Sequence, residues 1–151
     1  MSFQEKNITV SLVNFTLILG FFLLRLSQMY REGTLNSSDV FMLWGIVIVL
    51  AIIVTILATI LTHIFSAILE SAKTGVAVDK VDDVEDERDK LISLKGTQVT
   101  YLVSSIGVFL AMLTFVFGQP PLVMFTLLII FGLVAQIVGD GSRLYLYRRG
   151  F

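Results

Sequence analysis

"FVFGQPPLVMF", Phe115 to Phe125, sits in the middle of an uncharged run from Gly96 to Gly139. As one continuous helix that run would be about 66 Å long, twice the hydrocarbon thickness of a bilayer, and it is too short for three crossings. "GQPP" at Gly118–Pro121 divides it. Glycine ends helices readily, and Pro121 fits the first turn of the next helix, where its missing N–H costs no hydrogen bond. The run is therefore two spans joined by a tight turn.

Working toward the N-terminus, Val40 to Leu69 is interrupted only by the polar His63, and would form a helix of about 45 Å. Asn7 to Leu24 forms a further run, followed by Arg25 and the polar "YREGTLNSSD". It is long for a signal-peptide core and no small-x-small cleavage site follows, so it is expected to be retained as the first span. Four helices result, at about 8–30, 40–71, 91–117 and 121–147, with an acidic loop at 72–90. The expected fold is an all-α integral membrane protein, one domain of four transmembrane helices arranged as two helical hairpins. Strands are excluded because the runs lack barrel alternation and open sheet edges cannot face lipid.

Composition agrees. Of 151 residues, 56% are hydrophobic and 15% charged, too few charges to cover a soluble domain of this size. Mean hydropathy is +0.87. There is no cysteine, which removes disulfides, thiolate metal sites and cysteine nucleophiles. No basic face exists for nucleic acid.

Charge distribution sets the orientation. Nine of the eleven basic residues, Lys6, Lys73, Lys80, Arg88, Lys90, Lys95, Arg143, Arg148 and Arg149, fall at one end of the four spans. Arg25 and Arg31 fall at the other. The positive-inside rule then places both termini and the long middle loop in the cytoplasm. Trp44, Tyr30, Tyr145 and Tyr147 lie at the boundaries expected of an interfacial aromatic belt.

The charged passage "DVEDERDKLISLKG", Asp83 to Gly96, lies at the mouth of the third span. Its acidic residues suit a helix's first turns, while Arg88, Lys90 and Lys95 can reach headgroups as Leu91, Ile92 and Leu94 enter the interface. Asp79 or Asp82 is a candidate cap, Asp82 having capping-box spacing to Glu85. The segment is open to three assignments: a solvated topology anchor, a docking surface built from Glu85, Asp86, Glu87, Arg88 and Lys95, or a cation site. The last lacks the "DxDxDG" calcium pattern.

Small residues mark candidate packing faces: Gly20 on the first helix, Thr55 on the second, Ser104, Gly107 and Ala111 on the third, Gly132 and Gly139 on the fourth. Their hydroxyls can bond their own helix's carbonyls without meeting water. Polar residues within the spans are candidates for ion pairs or interhelical bonds: Asn14, His63, Glu70, Gln136, Asp140 and Arg143. Counted from Pro121, Asp140 lies about 28 Å and Arg143 about 33 Å along the fourth helix, near the inner boundary. Their three-residue spacing permits an ion pair within the helix; a transported-ion or proton site is the competing assignment for Asp140.

"NFTLILGFFL" at 14–23 and "YLVSSIGVFL" at 101–110 share one glycine register, which leaves a parallel duplication open.

"DERDKLISLKG" at Asp86–Gly96 and "YLYRRG" at Tyr145–Gly150 together resemble the two marks of a family of small prokaryotic four-pass membrane proteins of unknown function. In that family a "DER" segment with a downstream basic residue precedes the penultimate span, and a tyrosine- and arginine-rich tail closes the chain. Asp86, Glu87, Arg88 and Lys95 match the first mark; Tyr145, Tyr147, Arg148 and Arg149 match the second. The resemblance implies an inner-membrane setting and carries no activity.

No "HExxH", "GxSxG" or "GxxxxGK[ST]" pattern is present, and neither catalysis nor a cofactor is expected. The expected partners are the lipid bilayer, a second copy of the chain in a homo-oligomer such as a dimer, and a cytoplasmic or membrane protein. The expected role is a small inner-membrane regulatory or scaffold protein that docks a partner on its charged cytoplasmic segment. The alternative is an oligomeric channel or transporter for an ion or small solute.

Overall fold

The computed structural model describes residues 3–74 and 87–149. Four helices account for nearly all of them: α1 Phe3–Arg31, α2 Ser37–Thr74, α3 Glu87–Val116 and α4 Pro121–Arg149. Each contains a stretch long and apolar enough to cross a bilayer. The chain is thus an all-α protein with four transmembrane spans. The helices overrun the apolar runs that predict them, α4 by ten residues, because their polar ends continue through the headgroup region, where helical hydrogen bonding still satisfies the backbone.

Both short turns are built alike. At the end of α1 the Thr34 N–H bonds the Met29 carbonyl at 3.1 Å and the Gly33 N–H bonds Tyr30 at 3.3 Å. At the end of α3 the Gln119 N–H bonds Thr114 and the Gly118 N–H bonds Phe115, both at 3.0 Å. This is the Schellman pattern, with Gly33 (φ 67°) and Gly118 (φ 80°) supplying the left-handed residue. Helix α2 then starts on a reciprocal cap. Asn36 Oδ1 accepts from the Asp39 N–H at 2.9 Å, and Asn36 Nδ2 donates to Asp39 Oδ2 at 2.7 Å.

The helices do not close into a symmetric bundle. α4 lies between α3, its most extensive neighbour, and α1; α1 in turn carries α2, which makes a narrower contact with α4. Where α1, α2 and α4 converge, Ile18, Phe22, Leu43, Val47 and Leu133 form an apolar core. On α2 the buried positions Val40, Leu43 and Val47 recur at helical spacing. Beyond Ala51 the apolar side chains Ile52, Ile53, Ile56, Leu57, Ile60 and Leu61 are exposed within the monomer.

The two ends of the molecule therefore differ. At the turn end, helices are pinned by short connections and the apolar core. At the open end lie the start of α1, the end of α2, the start of α3 and the end of α4, together with most of the charged side chains.

Candidate functional site

Helix α1 places a continuous stripe against its neighbours. Its turn-end half is apolar, with buried Ile18 and Phe22; its open-end half continues the same face with Asn14, Ser11 and Asn7. Opposite this polar half, α4 presents Asp140, only 1% exposed. Ser11 Oγ donates to Asp140 Oδ2 at 2.6 Å, and Arg143 Nη1 donates to Oδ1 at 2.5 Å. Gln136 Nε2 lies at 3.5 Å from Oδ1, a long contact.

Arg143 reaches the third helix as well. Its Nη2 donates to Thr97 Oγ1 at 3.0 Å, while Thr97 donates its own proton to the Ser93 carbonyl at 2.9 Å. The hydroxyl is thus used in both senses. The arginine stem lies where a Cβ on Gly96 would stand, so Gly96 gives the side chain its seat. Asp140 and Arg143 together link α1, α4 and α3 through charge-assisted bonds, and because Asp140 is almost wholly buried, loss of its partner would be costly.

The glycines divide into two groups. Gly107 faces Phe131 of α4, and Gly139 faces Thr100 and the Gly96 carbonyl, each so closely that a Cβ would overlap its neighbour. Ala111 is fully buried and Ser104 half-buried on the same helix as Gly107. Gly20 and Gly132, in contrast, meet nothing within 4 Å where a side chain would begin. Thr55 is exposed and borders a cavity beside Asp140.

At the open end, residues from the two marked stretches, 58 and 59 positions apart, come together. Tyr147 Oη donates to Asp89 Oδ1 at 2.7 Å. Arg88 Nη2 donates to the Tyr147 carbonyl at 3.3 Å, and the guanidinium stands 5.9 Å from the Tyr147 ring centre. Arg149 donates to Tyr145 Oη at 2.8 Å and lies 5.7 Å from that ring. Around this clamp Glu87, Arg88, Lys90, Arg148 and Arg149 are exposed, and Lys95 is half-buried.

Asn14 is 8% exposed, and its Nδ2 has no hydrogen-bond partner among the described residues. The side chains of His63 and Glu70, and residues Glu85 and Asp86 with the candidate caps Asp79 and Asp82, lie outside the described residues. Among the described residues no three His, Asp or Glu side chains gather to hold a metal ion. Gln136, Asp140 and Arg143 stand out in the sequence as polar residues within a span; their partners Ser11 and Thr97 do not. Ser11 carried one signal: it precedes Asn14 by three residues on the same face of α1.

Fold and site together define a four-span, all-α integral membrane protein in which α1, α3 and α4 are joined by a largely buried ion pair near the open end. No protein-family model, curated protein or solved structure matches the chain.

Proposed function

We propose that this chain is a small, non-enzymatic regulatory or scaffold protein of a prokaryotic inner membrane, with both termini and the loop between α2 and α3 in the cytoplasm. A partner protein docks at the charged open end, and the chain self-associates through helix faces left open to lipid. The supporting observation is the clamp of Arg88 and Asp89 on Tyr147. A clamp between the start of α3 and the end of α4 holds the surrounding charges in fixed relative positions before a partner arrives, which lowers the ordering cost of binding. The family resemblance belongs with this proposal, since two of the residues that carry it, Arg88 and Tyr147, meet in the clamp.

The test is replacement of Glu85→Gln, Asp86→Asn and Glu87→Gln together in the native host. Loss of a defined co-purifying partner, with membrane insertion and helix content unchanged, is the expected result. Retention of that partner at wild-type yield removes this surface as the docking determinant.

A channel or transporter is the second reading, and one observation favours it: a cavity of about 200 Å³ beside Asp140, bordered by Ser11, Thr55 and Thr59. It predicts ion or solute flux into reconstituted vesicles that Asp140→Asn reduces. Flux equal to that of empty vesicles across a broad ion panel excludes it.

A further inference from the structure

Two cavities meet at Arg143. One, of about 200 Å³, lies among α1, α2 and α4 and is bordered by Asn7, Ser11, Thr59 and Asp140. The other, of about 270 Å³, opens toward the chain ends and is bordered by Gln4, Asp89, Ser93 and Tyr147. Arg143 and Ile8 line both. A water molecule occupies about 30 Å³ in the liquid, so each cavity has room for several, and polar cavities of this size hold water where apolar ones stay dry.

Arg143 uses both Nη groups, but its Nε is buried without a partner among the described residues. Asn14, one turn beyond Ser11 on the same face of α1, leaves Nδ2 in the same condition. Neither donor faces the cavities: Asn14 lines neither of them, and Arg143 Nε packs against Gly96 of α3. Beyond Asn14 the stripe turns apolar, and Ile18, Phe22, Leu43, Val47 and Leu133 fill the space.

We propose that the two cavities form one aqueous vestibule, open on the side that carries the chain ends. It runs past Arg143 to Asp140 and Ser11 and is closed toward the turn end by the apolar core. Its ligand class is water and the small hydrophilic solutes that travel with it. Ser11 lies about 12 Å along α1 from Phe3, so the vestibule carries water well past the helix ends. The vestibule stands independently of partner docking, and it requires no solute to cross the membrane.

The chain has no cysteine, so single thiols can be introduced without background. Ser11→Cys and Thr59→Cys would be compared with Ile18→Cys and Leu43→Cys in the full chain, reconstituted in sealed vesicles of known orientation. A charged, membrane-impermeant thiol reagent is added to one side at a time, and Glu5→Cys reports access to the open end. The expected result is modification of Ser11→Cys and Thr59→Cys from the open-end side only, with Ile18→Cys and Leu43→Cys unreactive from both sides. Ser11→Cys and Thr59→Cys both unreactive while Glu5→Cys reacts would overturn the vestibule; reaction of Ile18→Cys would replace it with a continuous pore. Thr59 makes no bond to Asp140, so its variant keeps the test valid if Ser11→Cys perturbs the ion pair. Vesicle flux measured in parallel separates the outcomes: labelling without flux supports a blind vestibule and counts against the transport reading alone.

Discussion

At Gly107 the absence of a side chain is a packing element, because the space a Cβ would take is filled by the Cβ and ring of Phe131. Those atoms lie close to the α4 backbone and cannot swing away, so Gly107→Ala is expected to separate α3 from α4 and cost about 1–3 kcal/mol. Gly132→Ala is the control. With open space at that position and a helical backbone, it should be neutral or stabilise by roughly 0.5–1 kcal/mol. Reversible unfolding of both variants in the same detergent checks the contrast; equal effects would mean that the α3–α4 contact does not depend on Gly107. Asp140 gives a second prediction at this scale. Arg143→Ala leaves a carboxylate that is 1% exposed without its charged partner but still bonded by Ser11 and reached by vestibule water, an expected loss of about 1–3 kcal/mol. The double variant Arg143→Ala with Asp140→Ala should recover part of that loss, since no charge then remains buried. Sequence alone separates neither the glycines nor the partners of Asp140. A small residue permits close approach without requiring it, so Gly107 and Gly132 give the same signal. A hydroxyl within a span can satisfy itself on its own helix, as Thr9, Thr16 and Thr126 do on carbonyls four residues earlier. Nothing in the residue type showed that Ser11 bonds across to α4 instead.

For whole helices, existence and number were legible and lateral order was not. The uncharged runs mark the spans because an unpaired backbone group or a charge is expensive in hydrocarbon, and "GQPP" marks the turn because glycine and proline have defined places at helix ends. Which helix lies beside which depends on contacts between apolar faces that resemble one another and resemble lipid, so α4 as the central helix has no sequence signature. The described first turn of α3, from Glu87, is held from outside the helix by the end of α4. Tyr147→Phe removes one hydrogen bond to Asp89 and should weaken that attachment by about 1 kcal/mol, roughly fivefold in local opening. Amide hydrogen exchange over residues 87–91 should rise accordingly, while exchange in the middle of α3 stays at the wild-type rate. A uniform rise along α3 would show that the clamp supports the whole helix, and no rise would show that it supports none of it.

Over the whole molecule, the bilayer supplies what the monomer lacks. Large apolar side chains such as Leu17, Leu24, Phe41, Leu102 and Phe109 are exposed, a surface that water would drive to aggregate and hydrocarbon accepts. The same partition makes topology the most direct test of the assembly. Four crossings in two hairpins put the turn at 116–121 on the opposite side from the start of α3, the end to which the sequence assigns nine of its eleven basic residues. The proposed orientation, taken from the positive-inside rule, has that side in the cytoplasm. In intact cells Gln119→Cys should therefore react with an impermeant thiol reagent added outside, and Lys90→Cys should react only after the membrane is opened. Both positions are exposed, so neither result is confounded by burial. Reaction of both from outside would mean that α3 and α4 do not each cross, and the ion pair of Asp140 with Arg143 would then lie in the headgroup region rather than within the membrane. The reverse labelling pattern would keep all four spans and invert the molecule, moving the clamp and the vestibule mouth to the outer face.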